Sequence, residues 1–329
     1  MRPLVSIYML TYNHEKFIAE AIESVTAQQC DFPIELIIGE DCSTDSTGEI
    51  VRDYQRRYPA LIRILTSERN VGMAANAARC IQAFRGDYVA ICEGDDCWID
   101  PTKLARQVSL MEAMPDVALA CHAINRVDAS NKRRIRIQRA ARKSRLLSTR
   151  ELILGDGDFI PTCSILAKRA LFINIPAWRL QAPVGDYPLV LNAAQVGCVA
   201  YQDRVMSTYR INVPDSWTST AKSRSSIDQR LAHALAIERM LDGYAKEIGE
   251  KHKSSVNAIA RKYIFNAIVR CTDNKAKKMK ALDDLSHKLS RLDYVLAWLS
   301  LTTGKRMSRV RSFPVLALRQ FLSIANNLK

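Results

Sequence analysis

Four short apolar runs, each ending in a polar loop and each followed by residues at helical spacing, occupy the first 110 residues. Residues 4–10, LVSIYML, are rich in strand formers; TYNHE interrupts them, and Phe17, Ile18, Ala21, Ile22 and Val25 then recur with the period of one helix face. The unit repeats. Ile34–Ile38 reads as a strand, GEDCSTDST as a loop, and Ile50, Val51, Tyr54 and Tyr58 as a helix face. Ile62–Thr66 is a third strand, followed by SERNVGM and a helix from Ala74 to Phe84. Tyr88–Cys92 is a fourth, ending in EGDDCW, after which Pro101 suits the first turn of a helix through Leu104, Val108 and Met111. This cadence predicts an α/β fold: a mostly parallel sheet with helices on both faces. Such sheets bind ligands outside the carboxyl ends of their strands, so the four loops should share one rim.

Farther along the regularity loosens. Val117–His122, Ser164–Ala167 and Val199–Tyr209 suit strands, Thr149–Leu154 and Asp186–Ala194 suit helices, and the basic stretch 126–145 suits an exposed loop or hairpin. From residue 226 the chain reads as helical, with three stripes. The first is Ile227, Leu231, Ala234, Leu241, Tyr244 and Ile248; the second is Val256, Ile259, Tyr263, Ile264, Ala267 and Ile268; the third is Met279, Leu282, Leu285, Leu289, Leu292 and Leu296. Two domains are expected: 1–220, carrying the repeated units, and 221–329, a basic helical extension.

Charge follows the same division. Residues 1–220 hold 26 Lys and Arg against 25 Asp and Glu, whereas residues 221–329 hold 22 against 9. Within the first part, 126–145 carries nine basic residues and one acid, Asp128. An excess of positive charge attracts polyanions: nucleic acid, anionic lipid or phosphorylated substrates. No nucleic-acid motif interleaves aromatics with these basic residues, so no specific nucleic acid is expected. With 48% hydrophobic and 25% charged residues, the composition excludes a wholly disordered chain. The longest charge-free run, Tyr187–Gln202, has sixteen residues, short of the roughly 20 that span a bilayer. Neither a membrane-spanning helix nor a signal peptide is expected. Nine scattered cysteines without a CxxC pair suit free thiols in a reducing cytoplasm better than disulfides or zinc.

The candidate chemistry lies in the loops. Glu93-Gly94-Asp95-Asp96 places three carboxylates in four residues. Their mutual repulsion would be relieved by a divalent cation, and hard oxygen ligands suit Mg²⁺ or Mn²⁺ bridging to phosphates. The plainer reading is a solvated turn in which Asp96 or Asp100 caps the next helix. Asp41 closes the second strand, where a carboxylate can accept a base N–H, with Ser43, Thr44 or Asp45 free to cap the helix. Thr11, Tyr12 and Asn13 offer an aromatic face beside polar groups. Asn70, Gly72 and Asn76 sit in the third loop, where Gly72 permits close backbone approach.

The succession LTYN, IIGEDCSTDST, NVG and YVAICEGDDCWIDPTKLARQ, in this order over residues 4–110, resembles the N-terminal half of family 2 glycosyltransferases; weaker markers continue to about residue 218. The resemblance implies a GT-A fold and a nucleotide-diphosphate sugar as donor, UDP or dTDP foremost. Thr11 and Tyr12 would contact base and ribose, Asp41 the base, and Asn13, Asn70, Gly72 and Asn76 would complete the donor site. Glu93-Gly94-Asp95 would be the DxD-type motif, with Asp95 the principal metal ligand. Glu93, where many relatives have Asp, would reach metal or ribose, directly or through water. Gly185-Asp186-Tyr187-Pro188 resembles the segment carrying the general base, which assigns that role to Asp186; helix capping is the plain alternative. Tyr209-Arg210 resembles a motif whose arginine approaches the diphosphate, although Ile211-Asn212 lacks the histidine of many relatives. Pro161–Ser164 falls in a region that lines the acceptor side in relatives.

Together these imply inverting transfer, with Mn²⁺ or Mg²⁺, to a glycan or lipid-linked acceptor in bacterial surface-polysaccharide assembly. Attachment to the cytoplasmic face of the inner membrane through residues 275–329 is expected, with Lys275, Lys277, Lys278, Lys280, Lys305, Arg306, Arg309 and Arg311 ahead of Phe313–Leu316 and Phe321-Leu322. Packing of these helices on protein is the competing expectation. A sugar-nucleotide-forming nucleotidyltransferase would need a Gly-rich basic loop near the N-terminus, and LTYNHEKF is neither. A non-enzymatic adaptor for nucleic acid or anionic membrane, driven by the basic C-terminal region, is the remaining alternative.

Overall fold

The computed structural model describes residues 2–130, 133–214, 216 and 226–303. Two compact units divide the chain, residues 1–221 and 222–329.

The first unit opens as β1 (Val5–Thr11), α1 (Ile18–Thr26), β2 (Ile34–Glu40), α2 (Thr47–Arg57), β3 (Ile62–Leu65), α3 (Met73–Gln82) and β4 (Tyr88–Ile91). β1 is central, and all seven of its residues are buried, as a parallel strand covered on both faces requires. It pairs in parallel with β2 and β4, so that Val5 lies opposite both Ile34 and Tyr88, and Thr11 lies opposite Glu40. The strands therefore end together along one rim. Alternate residues of β1 feed two cores. Val5, Ile7 and Met9 pack with Ile18, Ile22 and Val25 of α1 and with Val51 and Tyr54 of α2, while Tyr8 and Leu10 pack toward Cys80 and Phe84. Each fully buried aliphatic side chain contributes about 1.5–3 kcal/mol.

The unit continues as β5 (Cys97–Trp98), α4 (Lys103–Ala113), β6 (Val117–Asp128), β7 (Arg133–Gln138), β8 (Arg145–Leu147), α5 (Thr149–Gly155), β9 (Leu166–Lys168), α6 (Ala170–Ile173), α7 (Ala177–Leu180), α8 (Asp186–Val196) and β10 (Cys198–Ile211). Sheet order is β3-β2-β1-β4-β9-β6-β10-β5, with β7 paired to β6 and β8 to β10. The sheet is mixed. Its first four strands are parallel, but β9 runs antiparallel to both β4 and β6, and β10 is parallel to β6. The basic stretch forms a hairpin, β7 folding back antiparallel on the outer end of β6.

Within α4, Lys103 is fully buried. Its ammonium donates to Gln107 Oε1 at 2.8 Å and lies 4.1 Å from the Trp98 ring centroid. Burial lowers its pKa to about 7. All nine cysteines are free thiols.

The second unit holds α9 (Ile227–Ile248), α10 (Lys253–Arg270), α11 (Lys275–Asp284) and α12 (Arg291–Thr303). Ala234, Ile264, Ala267, Ile268, Leu282 and Ala297 form a core. The third stripe, expected to be one face, is split between α11 and α12. Ser290 Oγ accepts the Asp293 N–H at 3.1 Å and so starts a new helix, which leaves Leu292 41% exposed and buries Ala297 instead. Of the basic groups expected at a membrane, Lys277 is paired with Asp228 and Asp273. Lys305, Arg306, Arg309, Arg311, Phe313–Leu316 and Phe321-Leu322 lie outside the described residues. Among the described residues no helix is long and apolar enough to cross a membrane.

Candidate active site

The acidic loops after β2 and β4 meet at the end of β1. Asp41 donates its N–H to the Thr11 carbonyl at 3.1 Å, and Gly94 donates to the adjacent Leu10 carbonyl at 2.9 Å. Glu93 Oε2 accepts the Leu10 N–H at 3.2 Å. Asp41 and the Glu93–Asp95 loop thus flank one strand end from its two sides. A Cβ on Gly94 would stand 2.8 Å from Thr11 Oγ1 and 2.8 Å from His14 Nδ1, so only glycine lets the loop lie against β1.

Around this loop negative charge is concentrated. Burial pushes the Glu93 carboxyl up to about 8, with the Asp95 charge and then the Asp186 charge adding to it and the Leu10 N–H opposing. Asp96 is 1% exposed. Its Oδ1 accepts the Arg210 N–H at 3.0 Å, while its Oδ2 is buried without a partner. Burial, and next the Asp95 charge, hold its pKa well above the usual carboxylate range. From β10, Arg210 donates Nη1 to the Asp95 carbonyl at 2.8 Å, pairs with Glu20 and lies 5.3 Å from the Phe17 ring centroid. Asp186 is the first residue of α8, where its Oδ1 accepts the Tyr187 N–H at 2.7 Å. Burial pushes Asp186 up to about 6, the Tyr187 N–H opposing and the Asp156 and Asp158 charges adding.

Glu93 and Asp95, Arg210, and Asp186 are therefore brought into one neighbourhood from three separate stretches of chain. Among the described residues, no cationic side chain bonds the carboxylates of Glu93 or Asp95. Hard carboxylate oxygens beside an unpartnered buried acid oxygen fit Mg²⁺ or Mn²⁺. No three His, Cys, Asp or Glu side chains among the described residues gather into a complete metal nest. An ion that takes one or two carboxylates and completes its shell with substrate phosphates needs none.

Other expected site residues are engaged by the framework. Asp41, 3% exposed, accepts from the Val71 N–H (2.9 Å) and Ser67 Oγ (3.1 Å) on Oδ1, and from the Gly72 N–H (2.9 Å) on Oδ2. It ties down the loop that leads into α3. Thr11 is 2% exposed, with Oγ1 3.2 Å from His14 Nδ1. Asn13, at φ 55°, accepts the Thr44 N–H at 2.9 Å. Asn76 donates to the Gly39 carbonyl at 2.8 Å and accepts from Arg79 at 2.8 Å, which locks α3 to β2. Asn70 is exposed and accepts the Gly72 N–H at 2.9 Å; Gly72 itself has φ 82°. Tyr12 is half-buried. Thr11 and Asn76 therefore spend their side-chain polar atoms inside the protein.

Sequence reasoning missed His14, which packs under Gly94 and lies within reach of the Asp95 charge. It also left Asp96 as one of two candidate helix caps. Neither caps α4, whose N-cap is Thr102; Asp100 Oδ1 accepts the Thr102 N–H at 2.9 Å just ahead of the helix, and Asp45, just ahead of α2, accepts the Thr47 N–H. The only signal for His14 was its place in the first strand-end loop.

The family described as "Glycosyl transferase family 2" matches residues 6–172. An uncharacterized protein of Mycobacterium tuberculosis is 34% identical over 247 residues, which is 72% of this chain and 68% of that one. Among solved structures, S. aureus TarS 1–349 in complex with UDP-GlcNAc superposes with a TM-score of 0.67 at 15% identity, covering 91% of this chain and 87% of that one. The mannosyltransferase PcManGT from Pyrobaculum calidifontis, in complex with GDP-Man and Mn²⁺, superposes with a TM-score of 0.54 at 19% identity, covering 92% and 80%. Both likenesses are of fold. With its mixed sheet, strand-end acidic loops and matching family segment, this chain belongs to glycosyl transferase family 2 and has the GT-A fold.

Proposed function

We propose that the protein transfers a sugar, with inversion and with a divalent cation, from a nucleotide-diphosphate sugar to a hydroxyl of a glycan or lipid-linked acceptor. The observation that carries this reading is the meeting of the two acidic strand-end loops on β1, where the Asp41 and Gly94 N–H groups bond the Thr11 and Leu10 carbonyls while Arg210 holds the Asp95 carbonyl. The nucleotide sugars in TarS and PcManGT, and Mn²⁺ in the latter, support a donor and ion of the same classes here.

Tyr12 would stack on the base, and the Asp41-tied loop would border it. Bound by Asp95 and Glu93, Mn²⁺ or Mg²⁺ would neutralise the charge that develops on the departing diphosphate. The Arg210 guanidinium beside Asp95 would add a fixed positive charge at the same place. Asp186 would accept the proton of the acceptor hydroxyl as its oxygen bonds the anomeric carbon and the bond from that carbon to the diphosphate breaks. A carboxyl raised to about 6 is ionised at neutral pH and a better base than an ordinary aspartate. Anionic membrane at the cytoplasmic face would be met through the basic segment 275–329.

Asp186→Asn tests the reading. Transfer should fall by about 10²–10⁴-fold while donor binding stays within about twofold. Near-wild-type turnover would remove Asp186 from the chemistry.

A further inference from the structure

The β6–β7 hairpin reaches beyond the covered part of the sheet. β6 is buried from Val117 to Ile124 and half-buried from Asn125 to Asp128, and residues 133–137 of β7 are all exposed. Its position relative to the site is fixed by register. Arg126 lies opposite Tyr209 of β10, and Val127 lies opposite Arg210, the residue that holds the Asp95 carbonyl. β7 adds the next strand outward, with Arg136 opposite Arg126, about 10 Å from β10 at ordinary strand spacing.

The hairpin also holds the loop beside Asp186, where a Cβ on Gly157 would stand 3.9 Å from the Asp186 carboxylate oxygens. Arg126 Nη1 donates to both oxygens of Asp158 at 2.9 and 3.2 Å, and Arg136 Nη2 approaches the same carboxylate at 3.9 Å. Asp158 is one of the two acids whose charge acts on Asp186. The stretch 126–145 carries nine basic residues against one acid. Some are satisfied within the protein, Arg139 by Asp203 and Arg145 by Glu151. Arg134, Arg142 and Lys143 are exposed and have no acidic partner among the described residues.

We propose that the β6–β7 hairpin is the acceptor-binding arm of the site and that it takes an acceptor bearing phosphate groups, whose oxygens pair with Arg134 and Arg136. This rests on the transferase reading above and names its acceptor class. Guanidinium groups bind phosphate bidentately, so two or three arginines on a short arm select phosphate-bearing chains over neutral glycans. A phosphate paired with Arg134 and Arg136 would lie on the same hairpin that holds Asp158, next to the loop against Asp186, a placement that a surface for general attachment has no reason to share. Ile135 and Ile137 are exposed between the arginines, so an anionic lipid surface is the competing occupant.

The test measures binding of a fluorescent glycerol-phosphate oligomer by anisotropy at low and physiological salt. Wild type is compared with R134Q/R136Q and with R52Q/R56Q, a pair on the exposed face of α2 at the other end of the sheet. Melting temperatures confirm that all three are folded. The wild type should bind the oligomer and not a neutral oligosaccharide of the same length, R134Q/R136Q should bind about tenfold more weakly, and R52Q/R56Q should bind as wild type. No binding by wild type, or equal binding by all three, overturns the inference. So does hairpin-dependent retention on anionic phospholipid vesicles without hairpin-dependent oligomer binding. Thermal shift of the wild type by UDP, dTDP or GDP with Mn²⁺ is read separately: its absence counts against the transferase reading, whereas the oligomer result bears on the acceptor alone.

Discussion

Gly94 lies so close to Thr11 that a single added methyl group would stand 2.8 Å from the Thr11 hydroxyl. The metal-loop candidate Glu93–Asp95 is therefore seated on β1 by the absence of a side chain. Gly94→Ala should push the loop off the strand and break the Gly94 N–H bond to Leu10. The expected outcome is loss of about 1–3 kcal/mol in urea unfolding, as overpacking costs, together with loss of Mn²⁺-dependent nucleotide binding. A variant with wild-type stability and binding would show that the contact yields at little cost.

Asp41 gathers two N–H groups and a hydroxyl from the loop 67–72. Asp41→Ala should leave those donors unsatisfied and free the loop. Hydrogen exchange at the Val71 and Gly72 amides should accelerate, with a stability loss of about 1–3 kcal/mol. Nucleotide affinity should fall with it, since the same loop borders the proposed base site. Unchanged exchange at these amides would contradict the clamp.

As the proposed base, Asp186 would set the acid limb of the pH profile. As the base, it must be ionised, so transfer should decline as pH falls through about 6. Asp158→Asn removes one of the charges that raise it and should move that limb to lower pH. The stability effect has a definite sign. A carboxyl raised in the folded state stabilises the fold below its unfolded pKa and loses that contribution as pH rises through about 6. Asp186→Asn should therefore gain about 2 kcal/mol over wild type between pH 4 and pH 7, measured by urea unfolding at both.

Lys103 carries the opposite linkage. Its folded pKa of about 7 lies below the roughly 10.4 of an unfolded lysine, so the unfolded chain binds more protons between these values. Wild-type stability should rise relative to Lys103→Met by about 1 kcal/mol from pH 6.5 to 8. Comparing the two proteins cancels the titration of Glu93 and the cysteines. A pH-independent difference would mean that the buried amine does not change charge in this range.

The first four strands and their helices were legible because β1, β2 and β4 are buried runs, β3 is a short apolar one, and each helix shows its face at 3.6-residue spacing. β5 was not, since a two-residue strand exists only through its partner; the strand expected at Ser164–Ala167 forms two residues later, as β9, because a single 3-10 turn takes Thr162–Ser164. The sheet is mixed because β9, like β5, β7 and β8, runs antiparallel to its partners, and nothing local announces a strand's direction. The break between α11 and α12 did have a signal, the Ser290-x-x-Asp293 start, hidden by leucines that keep helical spacing across it. At the site, the acids at strand ends were readable as residue types. Their division of labour was not: Asn13 and Asn76 look like ligand groups until Thr44 and Gly39 are found to take their amides.

In the proposed function, Asp95 and Asp186 serve one bound nucleotide sugar, the first holding its diphosphate through a cation and the second standing across from it. Calorimetric titration of wild type, Asp95→Ala and Asp186→Asn with a nucleoside diphosphate, with and without Mn²⁺, addresses it directly. Binding should require Mn²⁺ in wild type, persist in Asp186→Asn and disappear in Asp95→Ala. Equal, metal-independent binding by all three proteins would contradict the account.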